Sequence, residues 1–212
     1  MRVTSIITNP DTDPHDYESK PMDARTIASS QYVVLNGAGY DPWGQKLLEA
    51  NPVAGRKVLI IGDLVGKQAG DNPHLRYNPT YVMQVVEQVT SDLKSLDPTS
   101  AAYFNQQKAQ FIATGLKDYT NTLNSIKQKY QGTPVGATES IFVYLAEPLG
   151  LKLPTPPKFM NTTSEGEEPT VADKLTVDRQ VMQRQISVLT ILRTVFVEVL
   201  ETLLHSQYRP SP

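Results

Sequence analysis

The sequence predicts an α/β protein of two lobes joined by one long backbone helix. Three observations carry this expectation. Short β-branched, apolar runs at residues 3–8, 32–36 and 57–62 alternate with stretches of helical period, a βαβαβ rhythm. A proline-free stretch over 99–130 repeats its apolar residues at spacings of four and three. Beyond Gln131-Gly132 the alternation of strand and helix resumes.

In order along the chain, the first strand covers 3–8, a helix 22–30, a strand 32–36, a helix 42–50 opened by Pro42, and a strand 57–62. A helix over 79–96 carries Val82, Val85, Val86, Val89 and Leu93 on one side and ends at Asp97-Pro98. The stretch 99–130, with Ile112, Leu116, Tyr119, Leu123, Ile126 and Tyr130 in step, predicts one helix. At about 1.5 Å per residue it would run roughly 45 Å, longer than a lobe of this size requires, so it reads as a bridge. Gly115 weakens it by roughly 1 kcal/mol relative to alanine and marks a bend. The second lobe reads as strand 134–138, helix 140–149, an extended 151–153, a loop to Pro169, helix 171–185 and strand 186–191. The expected domains are therefore 1–98, a linking helix 99–131, and 132–212.

Composition excludes several classes. The 212 residues are 20% charged with a net charge of -2, which gives no electrostatic footprint for nucleic acid. With no cysteine, disulfides, thiolate metal sites and thiol nucleophiles are excluded, so any metal must be held by nitrogen and oxygen. No apolar run approaches the roughly 20 residues that span a bilayer. The opening residues read as a strand rather than a signal peptide, so the expectation is a protein that stays inside or a leader missing from this sequence. The acidic run Glu165-Gly166-Glu167-Glu168 reads as a solvated helix entry.

Motifs that would name an enzyme are missing. Gly37-Ala38-Gly39 follows a strand, but Pro42 occupies the third glycine position of a dinucleotide fingerprint. There is no phosphate-binding loop, nucleophile elbow or His-Glu-x-x-His. What remains is positional: His15 lies after the first expected strand, His74 after the third, and Glu139 after the strand opening the second lobe. Ligands of open α/β sheets bind beyond strand carboxyl ends, and imidazole with carboxylate suits a divalent transition metal. The plain structural alternatives are two turn histidines beside prolines and a glutamate that favours a helix start.

The surrounding words add weight. Asn9-Pro10-Asp11-Thr12-Asp13-Pro14-His15-Asp16-Tyr17-Glu18, Asp23-Ala24-Arg25 and Tyr32-Val33-Val34-Leu35-Asn36-Gly37 resemble the N-terminal lobe of the metal-binding solute-binding proteins of ABC importers, the cluster A-I or family 9 group. Asp71-Asn72-Pro73-His74-Leu75 with Asn78-Pro79 resembles its second histidine loop, and Ala137-Thr138-Glu139-Ser140-Ile141-Phe142-Val143-Tyr144-Leu145 its cross-lobe ligand segment. The resemblance runs over about residues 3–189. It implies a metal cleft between the lobes with His15, His74 and Glu139 as ligands. It also implies an extracytoplasmic monomer that passes manganese or zinc to an ABC permease, with no catalysis, no nucleic acid and no membrane span of its own.

The ends depart from the family pattern. Residues 3–8 match its second strand, so the first βα unit is expected to be absent. The family's usual fourth ligand is a late aspartate, and none follows Asp178. From about Thr190 the words cease to match, which suggests a truncated or frame-altered product, or else a genuine helix over 195–204 with His205 at its end. Residues 63–72 hold no histidine and the cross-lobe position is Glu139, an oxygen-richer set that favours manganese as cargo. By the general affinity order zinc would bind at least as tightly. Two other classes stay open: a surface adhesion protein of the same fold, and a metallohydrolase using the three ligands around an activated water.

Overall fold

The computed structural model describes residues 2–9, 12–187 and the backbone of 189–190. The expected terminal helix over 195–204, His205 and the end of the last strand lie outside the described residues. The chain divides into two compact units, the boundary falling between Ser125 and Ile126.

The first unit is built on two parallel strands, β1 (Tyr32–Leu35) and β2 (Lys57–Ile60), with Tyr32 opposite Lys57 and Leu35 opposite Ile60. Parallel pairing demands a crossover, and α2 (Pro42–Ala50) supplies it. Along β1 alternate residues turn inward, so Val33 and Leu35 join Ile27 of α1 (Pro21–Ala28) in the core, with Ile6, Leu47 and Leu48 packed against them. Helix α2 comes close because Gly44 faces Leu35: a Cβ there would stand 2.6 Å from Leu35 Cδ2. After β2 come the single turn α3 (Ile61–Leu64), a 3₁₀ turn at Leu75–Tyr77, and α4 (Pro79–Leu96). Asn78 caps α4, its side-chain oxygen accepting from the Thr80 and Tyr81 N–H groups at 2.9 and 3.4 Å.

Two expectations need correction in this unit. Residues 3–8 form no strand: Val3 is 81% exposed, and β-branched composition without a neighbouring ladder does not make one. Ile6 is nonetheless held against the core. The long helix is also not uniform, with a π-helical turn at the Gly115 that the sequence marks as a bend. A 3₁₀ turn at Pro98–Ser100 leads into α5 (Ala101–Gln110), a π-helical turn follows at Phe111–Gly115, and α6 (Lys117–Tyr130) completes the run across the unit boundary. The cause is local: the Leu116 N–H donates to Phe111 O at 2.9 Å, five residues back, and the Phe111 ring occupies the space where a Cβ on Gly115 would sit, 2.8 Å from Cδ2.

The second unit pairs β3 (Gly136–Ala137) in parallel with β4 (Leu189–Thr190), and Pro134 bridges to Lys152 in the expected extended segment. A 3₁₀ turn at Ser140–Phe142 opens α7 (Val143–Leu149), which stops at Gly150 in the left-handed conformation, φ 67°. The expected loop before Pro169 contains a helix, α8 (Pro157–Ser164), with Met160 buried. Pro156-Pro157 reads as a breaker in sequence, yet proline fits the first turn of a helix, where its missing N–H is not needed. Helix α9 (Val171–Met182) ends three residues before the expected 185, and Arg184 beyond it takes φ 53°. No helix among the described residues is long and apolar enough to cross a membrane.

Candidate functional site

His15 sits in an exposed loop that α1 and α2 hold from both sides. Its own N–H donates to Asp13 Oδ1 at 2.9 Å, a local turn. Trp43 Nε1, in the first turn of α2, donates to the Pro14 carbonyl at 3.1 Å. Tyr17 packs edge-on against Trp43 at 4.9 Å and donates its hydroxyl to Asp23 at 2.8 Å. Among the described residues before this loop there is no strand of the kind expected.

His74 is only 6% exposed and immediately precedes the 3₁₀ turn, next to the fully buried Leu75. Asn36 at the end of β1 donates to the Pro73 carbonyl at 2.9 Å and ties this loop to the sheet. Asn72 Oδ1 lies 3.1 Å from the His74 N–H and 2.9 Å from ring Nδ1. The backbone N–H can only donate, so the atom it meets is the amide oxygen, and Nδ1 must carry the ring proton. That tautomer places the lone pair on Nε2, the arrangement a metal-binding imidazole needs. Burial, then the charge of Arg76, then His15, lower the His74 pKa from 6.5 to about 4, against an opposing pull from Asp13. The ring is neutral at physiological pH, and a neutral imidazole is the ligating form.

The two imidazoles meet: their centroids are 6.1 Å apart at 68°. Tyr40 packs beside both, 4.7 Å from His15 and 5.9 Å from His74. It is delivered by the turn Gly37-Ala38-Gly39, whose residues take φ 70°, 52° and 81° in succession. Gly37 is also required sterically, since a Cβ would fall 2.4 Å from Ile60 Cγ2. The buried Asp41 carboxylate fixes this turn by accepting from the Asn36 and Gly37 N–H groups at 2.7 and 2.8 Å. The Gly-Ala-Gly run is thus a turn that carries a tyrosine.

Glu139 belongs to the second unit, two residues past β3, and is buried at 6% exposure. It occupies the N-cap position of the 3₁₀ turn that opens α7, with no side-chain hydrogen bond that caps that turn. The local frame is set by serine and threonine: the Ser140 N–H donates to Ser164 Oγ at 2.8 Å, and the Ala137 N–H to Thr155 Oγ1 at 3.1 Å. Among the described residues, no three His, Cys, Asp or Glu side chains gather closely enough to hold a metal ion. The structure thus brings His15 and His74 together within one unit, and Glu139 lies in the other.

Sequence reasoning missed Tyr40, Asn72, Arg76 and Asp41. A signal existed for one of them, since asparagine two residues before a histidine is the spacing of a side-chain turn.

Comparison with known proteins bears on this geometry. A family model described as zinc-uptake complex component A, periplasmic, matches residues 1–207, beyond the stretch in which the motifs are legible. The iron-binding protein YfeA of Yersinia pestis is 29% identical over 166 residues, covering 72% of this chain and 51% of that protein. The manganese-binding lipoprotein MntA of Halalkalibacterium halodurans is 30% identical over 95 residues, 43% of this chain and 32% of that one. Among solved structures, a manganese-bound mutant of a periplasmic metal binding protein from Candidatus Liberibacter asiaticus superposes with a TM-score of 0.74 at 18% identity, covering 92% of this chain and 73% of that one. That likeness shows the α/β fold. The chain spans about half the length of the first curated relatives it matches, 54% and 51%.

Proposed function

The chain belongs to the zinc-uptake component A family of periplasmic proteins, and from that premise we propose that it is the extracytoplasmic substrate-binding part of an ABC importer. It captures a divalent transition metal and hands it to a membrane permease, acting as a monomer. The observation that carries this reading is the convergence of His15 and His74, from two separate loops, to a ring separation of 6.1 Å. Paired imidazoles with the hydrogen-bonded tautomer at His74 are nitrogen donors for manganese, zinc or iron, and the family resemblance adds Glu139 as the carboxylate of the set.

Cargo is held and released rather than transformed. Manganese is the physiological cargo on this reading, because one carboxylate with two imidazoles is richer in oxygen than an all-histidine set, while zinc binds at least as tightly in vitro. The test is the thermal midpoint with and without Mn²⁺ or Zn²⁺. A ligand that binds only the folded state stabilises it by about 2.7 kcal/mol at a hundredfold excess over its Kd. His74→Ala and His15→Ala should each remove most of that gain. An undiminished gain in both variants would overturn the assignment.

A further inference from the structure

Tyr40 and Arg76 form a linked pair beside the two histidines. The Tyr40 ring stands edge-on to both imidazoles, at 76° in each case, with centroids 4.7 Å from His15 and 5.9 Å from His74. With the imidazoles 6.1 Å from each other, the three rings close a triangle. Edge-to-face packing at these distances is attractive, and it resists rotation of either imidazole about its own bond.

The tyrosine is itself held. Arg76 Nη1 donates to the Tyr40 hydroxyl at 2.6 Å, and the guanidinium carbon lies 5.4 Å from the Tyr40 centroid and 4.9 Å from that of Tyr77. Stacking and hydrogen bonding together fix a guanidinium more firmly than either alone. Arg76 stands two residues after His74, inside the 3₁₀ turn that His74 precedes, whereas Tyr40 issues from the turn pinned by Asp41. The pair therefore joins the His74 loop to the turn that carries Tyr40, and the Tyr40 ring in turn packs on His15 in the third loop. Arginine has no lone pair to offer a metal, so its part in the site is indirect.

We propose that Tyr40, latched by Arg76, is a positioning residue of the metal site, holding the His15 ring against His74 before metal arrives. The inference rests on the reading of His15 and His74 as metal ligands. A preformed pair binds metal without first ordering an exposed loop side chain, and that ordering is what the latch removes from the binding step.

The experiment is a double-mutant cycle. Affinities for Mn²⁺ and Zn²⁺ are measured by competition titration on the full chain and on Tyr40→Phe, Arg76→Met and the double variant. Each single change cuts the same hydrogen bond and should weaken binding by on the order of threefold to tenfold, with the double variant no weaker than either single. Tyr40→Leu, which deletes the ring, should lose more. In parallel, the nuclear Overhauser contact between the His15 and His74 rings is recorded without metal. It should be present in the wild type and reduced in Arg76→Met, at an unchanged metal-free melting midpoint. Equal affinities in all four proteins, multiplicative losses in the double variant, tighter binding by Arg76→Met, or an undiminished ring contact in that variant would each overturn the latch. A wild type that shows the ring contact but binds neither metal overturns instead the reading on which the latch rests, and the proposal with it.

Discussion

Removing the Asn72 side chain should loosen the metal site without touching a ligand. Asn72 Oδ1 accepts from both the backbone N–H and the Nδ1–H of His74, at 3.1 and 2.9 Å, and His74 is nearly fully buried. In Asn72→Ala both donors lose this acceptor, which at about 1 kcal/mol net each amounts to about 2 kcal/mol of stability. The neutral ring is then free to exchange its proton between nitrogens, so part of the population presents Nδ1 rather than Nε2. Loss of an outer hydrogen-bond partner of a metal-binding histidine lowers affinity by about tenfold to a hundredfold, equivalent to about 1.4–2.7 kcal/mol. Calorimetric titration with Mn²⁺ and Zn²⁺ measures the affinity, and urea unfolding of the metal-free protein measures the stability. Asn72→Asp, which keeps an acceptor in the same place, should retain most of the affinity. Wild-type affinity in Asn72→Ala, alongside a loss in His74→Ala, would refute the assignment of the tautomer to Asn72.

Three other outcomes follow from the same geometry. Because the folded-state pKa of His74 is about 4 against an ordinary 6.5, the unfolded chain binds the extra proton between those values. Stability of the metal-free protein therefore falls as pH drops from about 6.5 towards 4, by about 3 kcal/mol, and His74→Gln should flatten that part of the profile in urea melts. Asp41→Ala leaves the Asn36 and Gly37 N–H groups without their carboxylate and should destabilise by about 2–4 kcal/mol; a loss below about 0.5 kcal/mol would show that the turn holds without it. Gly37→Ala places a Cβ against Ile60 in a left-handed backbone and should lower stability by about 1–3 kcal/mol by the same urea melts, with an unchanged midpoint counting against the turn described.

Helices opened by proline were the most legible part of the fold. Pro42 and Pro79 mark the starts of α2 and α4, and both helices end where periodicity runs out. Residues 3–8 and helix α8 were misread for opposite reasons. The first has strand composition without a ladder to join, and the second begins with two prolines that only tertiary packing of Met160 reveals as a helix start. Gly115 marked the interruption of the long helix, but its π-helical form depends on where the Phe111 ring lies, which periodicity does not encode.

At the site, His15 and His74 were legible as histidines beside prolines in two loops, and the structure brings the pair together. The groups around them were not legible, because Tyr40, Arg76 and Asn72 act through hydrogen bonds and ring packing set by loop conformation. Gly37-Ala38-Gly39 was weighed against a dinucleotide fingerprint and set aside. Its use became visible only once the left-handed turn delivered Tyr40 beside both rings.

The most direct measurement is X-ray absorption at the zinc edge of the zinc-loaded protein, with His15→Ala and His74→Ala beside it. The account predicts a first shell of nitrogen and oxygen only, at about 2.0–2.2 Å, with the outer-shell scattering of two imidazoles. Either substitution should reduce the imidazole count to one. A wild-type spectrum without imidazole scattering, or one that neither substitution changes, would contradict the claim that these two histidines hold the metal.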